Sequence, residues 1–382
     1  MIAYGRQSID SEDIVAVADV LGGDYLTTGP KVVEFENALA QKCGVKYAVA
    51  LSNGTAALHI GAKTIIKAGD KVLTTPISFV ATANSILYQN AKPIFVDVDD
   101  SANIDLNLCE DALKKDNSIK AIFAVDFTGK CVDPDGLGFL KERYGVRILE
   151  DAAHSLGSTN LAKGSDLATL SFHPVKHITT GEGGAILTND EEIYKHSKLL
   201  RGHGITRDSS EFVLGDEAFG EDGKPNPWYY EMQTLGFNYR ITDFQCALGI
   251  SQLAKLDKFV NRRKEIAATY DEKFKNNDLI SPLYRFDFDS SYHLYIAMID
   301  FEKAGVDRKE LFARLNGKKI YPQVHYIPIN MQPYYKSLGY DPNDTPKALK
   351  YYRQCISLPI YPDLTDDLQE YVASALFGVL GA

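Results

Sequence analysis

Between residues 45 and 190 the chain repeats one unit, a short run of consecutive apolar residues followed by a stretch with helical spacing. YAVAL precedes GTAALHIGAKTIIK, KVLTTP precedes FVATANSILYQN, PIFVDV precedes LNLCEDALKK, IKAIFAVDF precedes DGLGFLKERYG, and VRILED closes the series. A strand wetted on one side alternates apolar and polar residues, whereas a strand that is apolar throughout must be covered on both faces. Such strands, separated by helices, predict an α/β fold with a mostly parallel sheet, whose ligands gather at the carboxyl ends of the strands. At 382 residues the chain has room for a second domain. The expected division is a large domain over 1–250, N-terminal segment included, then a linking helix and a small C-terminal α+β domain over 251–382.

Downstream, TDFQCALGISQLAKLDKFVNRRKEIAATYDEKF reads as one long helix with Thr242 as its N-cap. From about residue 281 come a strand candidate, HLYIAMID, a helix, the run QVHYIPI and two terminal helices. Residues 206–227, acidic and containing GEDGKPNP, read as a surface excursion.

The formal net charge of −10 leaves no basic stripe for neutralising nucleic-acid phosphates. With 45% hydrophobic residues, disorder is not expected. Cys43, Cys109, Cys131, Cys246 and Cys355 are odd in number and never form a Cys-x-x-Cys pair, which argues against a disulfide framework and against zinc. No apolar run approaches a membrane span and MIAYGRQSIDSED is no secretory leader, so a soluble cytoplasmic protein is expected, without membrane or nucleic-acid partners.

Three stretches at predicted strand ends carry chemistry. In SNGTAAL a strand gives way at once to a helix, so free backbone N–H groups and the helix dipole converge where a phosphate would fit. The plain reading of the same residues is a well-capped helix. In VRILEDAAHSLG an apolar strand ends on Glu150 and Asp151, with His154 one turn further on. Those acids could cap a helix, or one could hold a proton on a bound aromatic nitrogen. SFHPVKHITTGEGGAILTND places Lys176 between a β-like run and a loop with Gly181, Gly183 and Gly184. Lysine forms Schiff bases with carbonyl compounds when a desolvated or cationic setting lowers its pKa. Pyridoxal 5'-phosphate requires such a lysine, an anion site, an Asp partner for its ring nitrogen and usually an aromatic ring against its face. Phe79, in TTPISFVATAN, is the candidate ring. Other chemistries fit less well. His173 and His177 have zinc-helix spacing, but Pro174 interrupts them and no Glu follows the first; GLG at 136–138 lacks a third glycine, and no Gly-x-Ser-x-Gly elbow accompanies Asp151 and His154.

These residues resemble one family along nearly the whole chain, the DegT/DnrJ/EryC1/StrS sugar aminotransferases, pyridoxal-phosphate enzymes of aspartate aminotransferase-like fold type I. The matching motifs, in order, are TTGP, SNGTAAL, TTPISFVATAN, EDAAHSLG, SFHPVKHITTGEGGAILTND, RGHG, GFNYRITDFQCALG and QVHYIPI. The resemblance implies Lys176 as the Schiff-base lysine, Asp151 as partner of the ring nitrogen, Phe79 as the stacking ring and His154 near the cofactor's 3-hydroxyl. It implies that Gly54, Thr55, the Ser171 hydroxyl and Asn238 from a neighbouring subunit hold the phosphate, in a homodimer with shared active sites. Relatives that do not transaminate replace the lysine, often by His; this sequence keeps it.

PISFVATAN, PWYYEMQTLGFNYR, QVHYIPI and ISLPIYPDL further resemble the family members that serve pseudaminic acid biosynthesis. The implied reaction moves an amino group from L-glutamate to C4 of a UDP-linked 4-keto-6-deoxy-N-acetyl hexose. The implied sugar pocket comprises Tyr4, the turn Asp24, Tyr25, Leu26 and Thr27, and the run Gln323, Val324, His325 and Tyr326. Read without the resemblance, HYIPI is a Pro-bounded edge strand. The alternatives are another 4-keto nucleotide sugar, such as a UDP-4-keto-pentose or GDP-4-keto-6-deoxymannose, or a cofactor- or sugar-binding regulatory protein without turnover.

Overall fold

The computed structural model describes residues 1–381. Its centre is a seven-stranded sheet whose strands lie side by side in the order Tyr47–Leu51, Gly184–Thr188, Leu167–Ser171, Arg147–Asp151, Ile119–Val125, Lys71–Thr74 and Lys92–Phe95. Neighbours pair in parallel except at Gly184–Thr188, which runs antiparallel to both Tyr47–Leu51 and Leu167–Ser171. Residues such as Val49, Leu73, Ile122, Phe123, Leu149 and Ile186 are fully buried, as strands covered on both faces require. Short side chains start the helices. Asn53 caps Gly54–Ile65, Asp105 caps Leu106–Lys115 and Asp190 caps Glu191–Arg201, each accepting from free N–H groups of the first turn.

A second sheet of three antiparallel strands, Ile280–Pro282, Tyr295–Ile299 and Cys355–Leu358, packs with helices Arg308–Gly317 and Asp366–Leu380 around its own apolar cluster. Ile2 belongs to that cluster, and Ile2–Ala3 pairs in parallel with Ile320–Tyr321. The first residues thus pack with the C-terminal layer, although the sequence groups them with the large domain. Among the described residues no helix is long and apolar enough to cross a membrane.

Three local expectations change. The long helix after Thr242 is two helices, Asp243–Ala254 and Leu256–Phe274, that meet at Lys255, with φ of −98° and ψ of −2°. At this junction Lys255 reaches the start of the N-terminal helix, with Nζ 2.5 Å from Asp10 and 3.0 Å from Asp13. QVHYIPI is not an edge strand; Gln323 makes one isolated bridge to Ser357, and Gln323, Val324, His325 and Tyr326 line the cavity. Between the two last helices, Pro346–Gln354 and Asp366–Leu380, lies the strand Cys355–Leu358. The acidic excursion is tied down by buried Glu231, whose carboxylate accepts from Val213 N–H, Leu214 N–H and the Tyr229 hydroxyl.

Candidate active site

The carboxyl ends of Tyr47–Leu51, Ile119–Val125, Arg147–Asp151 and Leu167–Ser171 open on one cavity of about 790 Å³. Asn53, Gly54, Thr55, Phe79, Asp151, His154, Ser171 and Lys176 line it, and Tyr4 and residues 323–326 close it from the C-terminal layer. Three of the sequence stretches, more than 100 residues apart from first to last, therefore meet at one point.

At one end is the turn before Gly54–Ile65. The Asn53 side chain accepts from Ala56 N–H at 2.8 Å, while the N–H groups of Gly54 and Thr55 find no acceptor among the described residues. Two free amides at a helix N-terminus attract an anion. A Cβ at Gly54 would lie 2.9 Å from Ser171 Cβ, so only glycine brings this turn against the serine whose hydroxyl faces the same space. Of the glycines after Lys176, Gly184 serves the same contact. A Cβ at Gly184 would sit 2.5 Å from the Asn53 carbonyl carbon and 2.7 Å from Gly54 N, so backbone packs on backbone there.

Asp151 and Glu150 point to opposite faces, as consecutive strand residues do. Glu150 is spent on structure, accepting from Ala162 N–H at 2.9 Å and Ser165 Oγ at 3.0 Å. Asp151 faces the cavity, held by Thr82 Oγ1 at 2.5 Å and Ala153 N–H at 3.2 Å. Burial raises its pKa above the ordinary value, against the opposing pull of the Thr82 hydroxyl, the Ala153 N–H and the Lys176 charge. Lys176 has its pKa lowered to about 8, first by loss of water and then by Arg263, while Asp151 opposes the shift. Such a lysine is part amine near neutral pH and can act as nucleophile and base.

His154 is buried and kept neutral by desolvation and by the nearby Lys176 charge; its Nε2 lies 3.2 Å from the Tyr326 hydroxyl. His325 Nδ1 is 2.7 Å from Ser357 Oγ, and the His325 ring lies 4.8 Å from that of Tyr4. Phe79 is 59% exposed, with its ring 6.4 Å from Tyr326. That exposure is unusual for a phenylalanine beside a core and leaves its face free.

Asp24, Tyr25, Leu26 and Thr27 are not brought to this cavity within one chain. Asp243 N–H donates to Leu26 O, Thr27 bridges Thr242, and Asp243 accepts from Gly29 and Lys31 N–H, pinning the turn to the Asp243–Ala254 helix beside a separate cavity. Asn238 also stands outside, bridged to Gly202. Sequence reasoning passed over Thr82, Tyr239 and His293. Thr82 stands three residues after Phe79, where helical spacing could have found it; Tyr239 and His293 arrive by tertiary packing.

The donor set fits pyridoxal phosphate: unpaired amides at one end, a buried carboxylate, an amine of lowered pKa and an uncovered aromatic face along one wall. The DegT/DnrJ/EryC1/StrS aminotransferase family model matches residues 7–377. The chain belongs to this family. It is an aminotransferase of fold type I. It is 38% identical to a UDP-4-amino-4,6-dideoxy-N-acetyl-beta-L-altrosamine transaminase of Campylobacter jejuni subsp. jejuni serotype O:2, over 100% of this chain and 98% of the relative. The structure of Helicobacter pylori PseC, an aminotransferase involved in the biosynthesis of pseudoaminic acid, superposes with a TM-score of 0.90 at 32% identity, covering 100% of this chain and 99% of the other. The PLP-form of Spr1654, a putative sugar aminotransferase from Streptococcus pneumoniae, gives 0.86 at 28% identity over 99% and 98% of the two chains. The family and its cofactor-bound structures imply pyridoxal phosphate for this chain.

Proposed function

We propose that the protein transfers the amino group of L-glutamate to C4 of a UDP-linked 4-keto-6-deoxy-N-acetyl hexose, on the route to pseudaminic acid or a related surface sugar. The carrying observation is the convergence of Lys176, Asp151 and the free Gly54 and Thr55 amides on one cavity. Bound there, pyridoxal phosphate supplies an electrophilic carbon for amines and a ring that takes up the electron pair left when a Cα proton departs.

The residues then divide the work. Gly54 and Thr55 N–H groups and the Ser171 hydroxyl hold the phosphate, joined by Asn238 of the partner subunit. Asp151, fixed by Thr82 and Ala153, keeps the ring nitrogen protonated. Phe79 would cover one ring face, and His154, steadied by Tyr326, would stand by the 3-hydroxyl. The Lys176 amine would hold the cofactor and, when free of it, is the base placed to take the Cα proton of the donor and to return a proton to C4 of the sugar. One water is taken up as glutamate leaves as 2-oxoglutarate, and one is released with the C4 ketone oxygen, so the exchange consumes no net water. Tyr4, Gln323, Val324, His325 and Tyr326 form the sugar wall, completed by residues 24–27 of a second subunit.

A homodimer is supported by exposed apolar side chains near these elements: Tyr25, Leu26, Trp228, Met232 and Leu235 are 48–73% exposed in the isolated chain. The test is a panel of 4-keto nucleotide sugars, offered with L-glutamate, with the aminated sugar and 2-oxoglutarate measured together. Preferred turnover of the UDP-linked N-acetyl hexose supports the reading. Preference for a UDP-pentose or GDP-6-deoxymannose ketone would replace the substrate, and no cofactor absorption change on adding glutamate would remove the activity.

A further inference from the structure

Residues 290–294 lead into the strand Tyr295–Ile299 through the seam between the two sheets. Ser291 N–H donates to Gly129 O at 3.0 Å, Leu294 N–H to Thr128 O at 3.2 Å, and Ser291 Oγ to His154 O at 3.0 Å. From the Leu256–Phe274 helix, Arg263, fully buried and without a carboxylate partner among the described residues, donates through Nη1 to the carbonyls of Tyr292, His293 and Ile360 at 3.4, 3.1 and 2.9 Å. A backbone tied at so many points delivers the next side chain to one place. His293 Nε2 stands 3.4 Å from Lys176 Nζ. The imidazole is 3% exposed, its Nδ1 has no partner among the described residues, and it does not line the cavity. It therefore backs the lysine instead of facing substrate.

We propose that His293 is a positioning residue for amino transfer: Nε2 accepts one N–H of the Lys176 amine whenever that amine is free of the cofactor, leaving the amine lone pair turned to the cavity. The proposal rests on Lys176 being the cofactor lysine. It places the imidazole proton on Nδ1, in a ring that packs 4.3 Å from that of His154 between centroids. Burial and the surrounding charges of Lys176 and Arg263 keep His293 neutral. A neutral acceptor suits the task. A carboxylate in the same place would pair with the ammonium form and hold the lysine protonated when a base is needed.

Lys176 is also faced by Asp151 from its strand end, by Arg263, by His154 and His177 from adjoining loops and by His325 from the sugar wall. The variants below change none of these. The test uses holoenzyme whose cofactor has been converted to its amine form with excess L-glutamate, so that Lys176 is free. Carbamylation of Lys176 by cyanate, followed by peptide mass spectrometry across pH, reports the fraction of neutral amine. Wild type and H293Q, which keeps a neutral acceptor, should share a midpoint. H293D should move it upward by about one unit, cutting the neutral fraction at pH 7 about tenfold. H293F should lower kcat with KM and cofactor retention unchanged, and H293Q should restore it. Should H293F fail to fold, the Asp and Gln variants decide alone. An unmoved midpoint in H293D, with cofactor still on Lys176, overturns the proposal and spares the functional reading. Cofactor attached to another lysine overturns both.

Discussion

Replacing Gly184 by alanine tests whether backbone contact at the strand edge builds the anion site. The added Cβ would meet Asn53 C and O at 2.5 Å and Gly54 N at 2.7 Å, where real Cβ atoms essentially never come under 3.0 Å. These are backbone atoms, so no side chain can swing away. The turn must retreat by roughly half an ångström, because Gly184 is also pinned in register opposite Leu51 and Ser171. Overpacking of this kind costs about 1–3 kcal/mol of stability. The amides displaced are those of Gly54 and Thr55, and each hydrogen bond to a charged group contributes about 1.5–3 kcal/mol. Losing good geometry at one of them should weaken cofactor binding by ten- to a hundredfold. The assay is paired: thermal unfolding of the cofactor-free protein, and pyridoxal phosphate titration followed by absorbance. Gly138 supplies the control, since a Cβ there meets nothing within 4 Å inside the Pro134–Tyr144 helix. Gly138→Ala should stabilise by about 0.5–1 kcal/mol and leave binding alone. Wild-type affinity in Gly184→Ala would refute the reasoning.

Glu36 accepts from Ala50 N–H at 2.9 Å and pairs with Arg201, the arginine of RGHG, beneath the first strand. Glu36→Gln leaves that guanidinium short of its counter-charge and should destabilise by about 3 kcal/mol, read by chemical denaturation, without altering KM. The second half-reaction, which starts with the cofactor in its amine form and Lys176 free, should accelerate as pH rises through about 8, because the free lysine is ammonium below its lowered pKa and amine above it; stopped-flow spectroscopy shows whether the rise occurs. Mixing Lys176→Ala and Asn238→Asp subunits should recover roughly a quarter of wild-type activity, since half the dimers are hybrid and each hybrid holds one intact shared site. No recovery, given subunit exchange, would place Asn238 in its own chain's site.

What the sequence disclosed and withheld follows from the range of each signal. Burial on both faces writes itself into consecutive apolar residues, so YAVAL, IKAIFAV and RILED were legible as strands of a covered sheet. Direction leaves no such trace, and the reversal of Gly184–Thr188 appears in the pairing alone. The continuous helical spacing hides a break at Lys255, the residue that pairs with Asp10 and Asp13 over 240 residues upstream. Asp151 ends a strand, Gly54 opens a helix, and Lys176 and Phe79 stand in the turns that follow strands, so all four stood out at positions where side chains reach one shared edge. His293 looked like the first residue of a strand, since its contact with Lys176 exists only after the two sheets dock. The turn at 24–27 carries a local motif, yet Asp243 holds it away from the cavity of its own chain.

The whole scheme requires one covalent link between protein and cofactor. Reducing the purified, cofactor-loaded protein with sodium borohydride, digesting it and sequencing the labelled peptide by mass spectrometry reads that link directly. A phosphopyridoxyl group on Lys176, absent when Lys176 is replaced by alanine, is the result expected. A label on any other lysine, or undiminished label in the alanine variant, would contradict it.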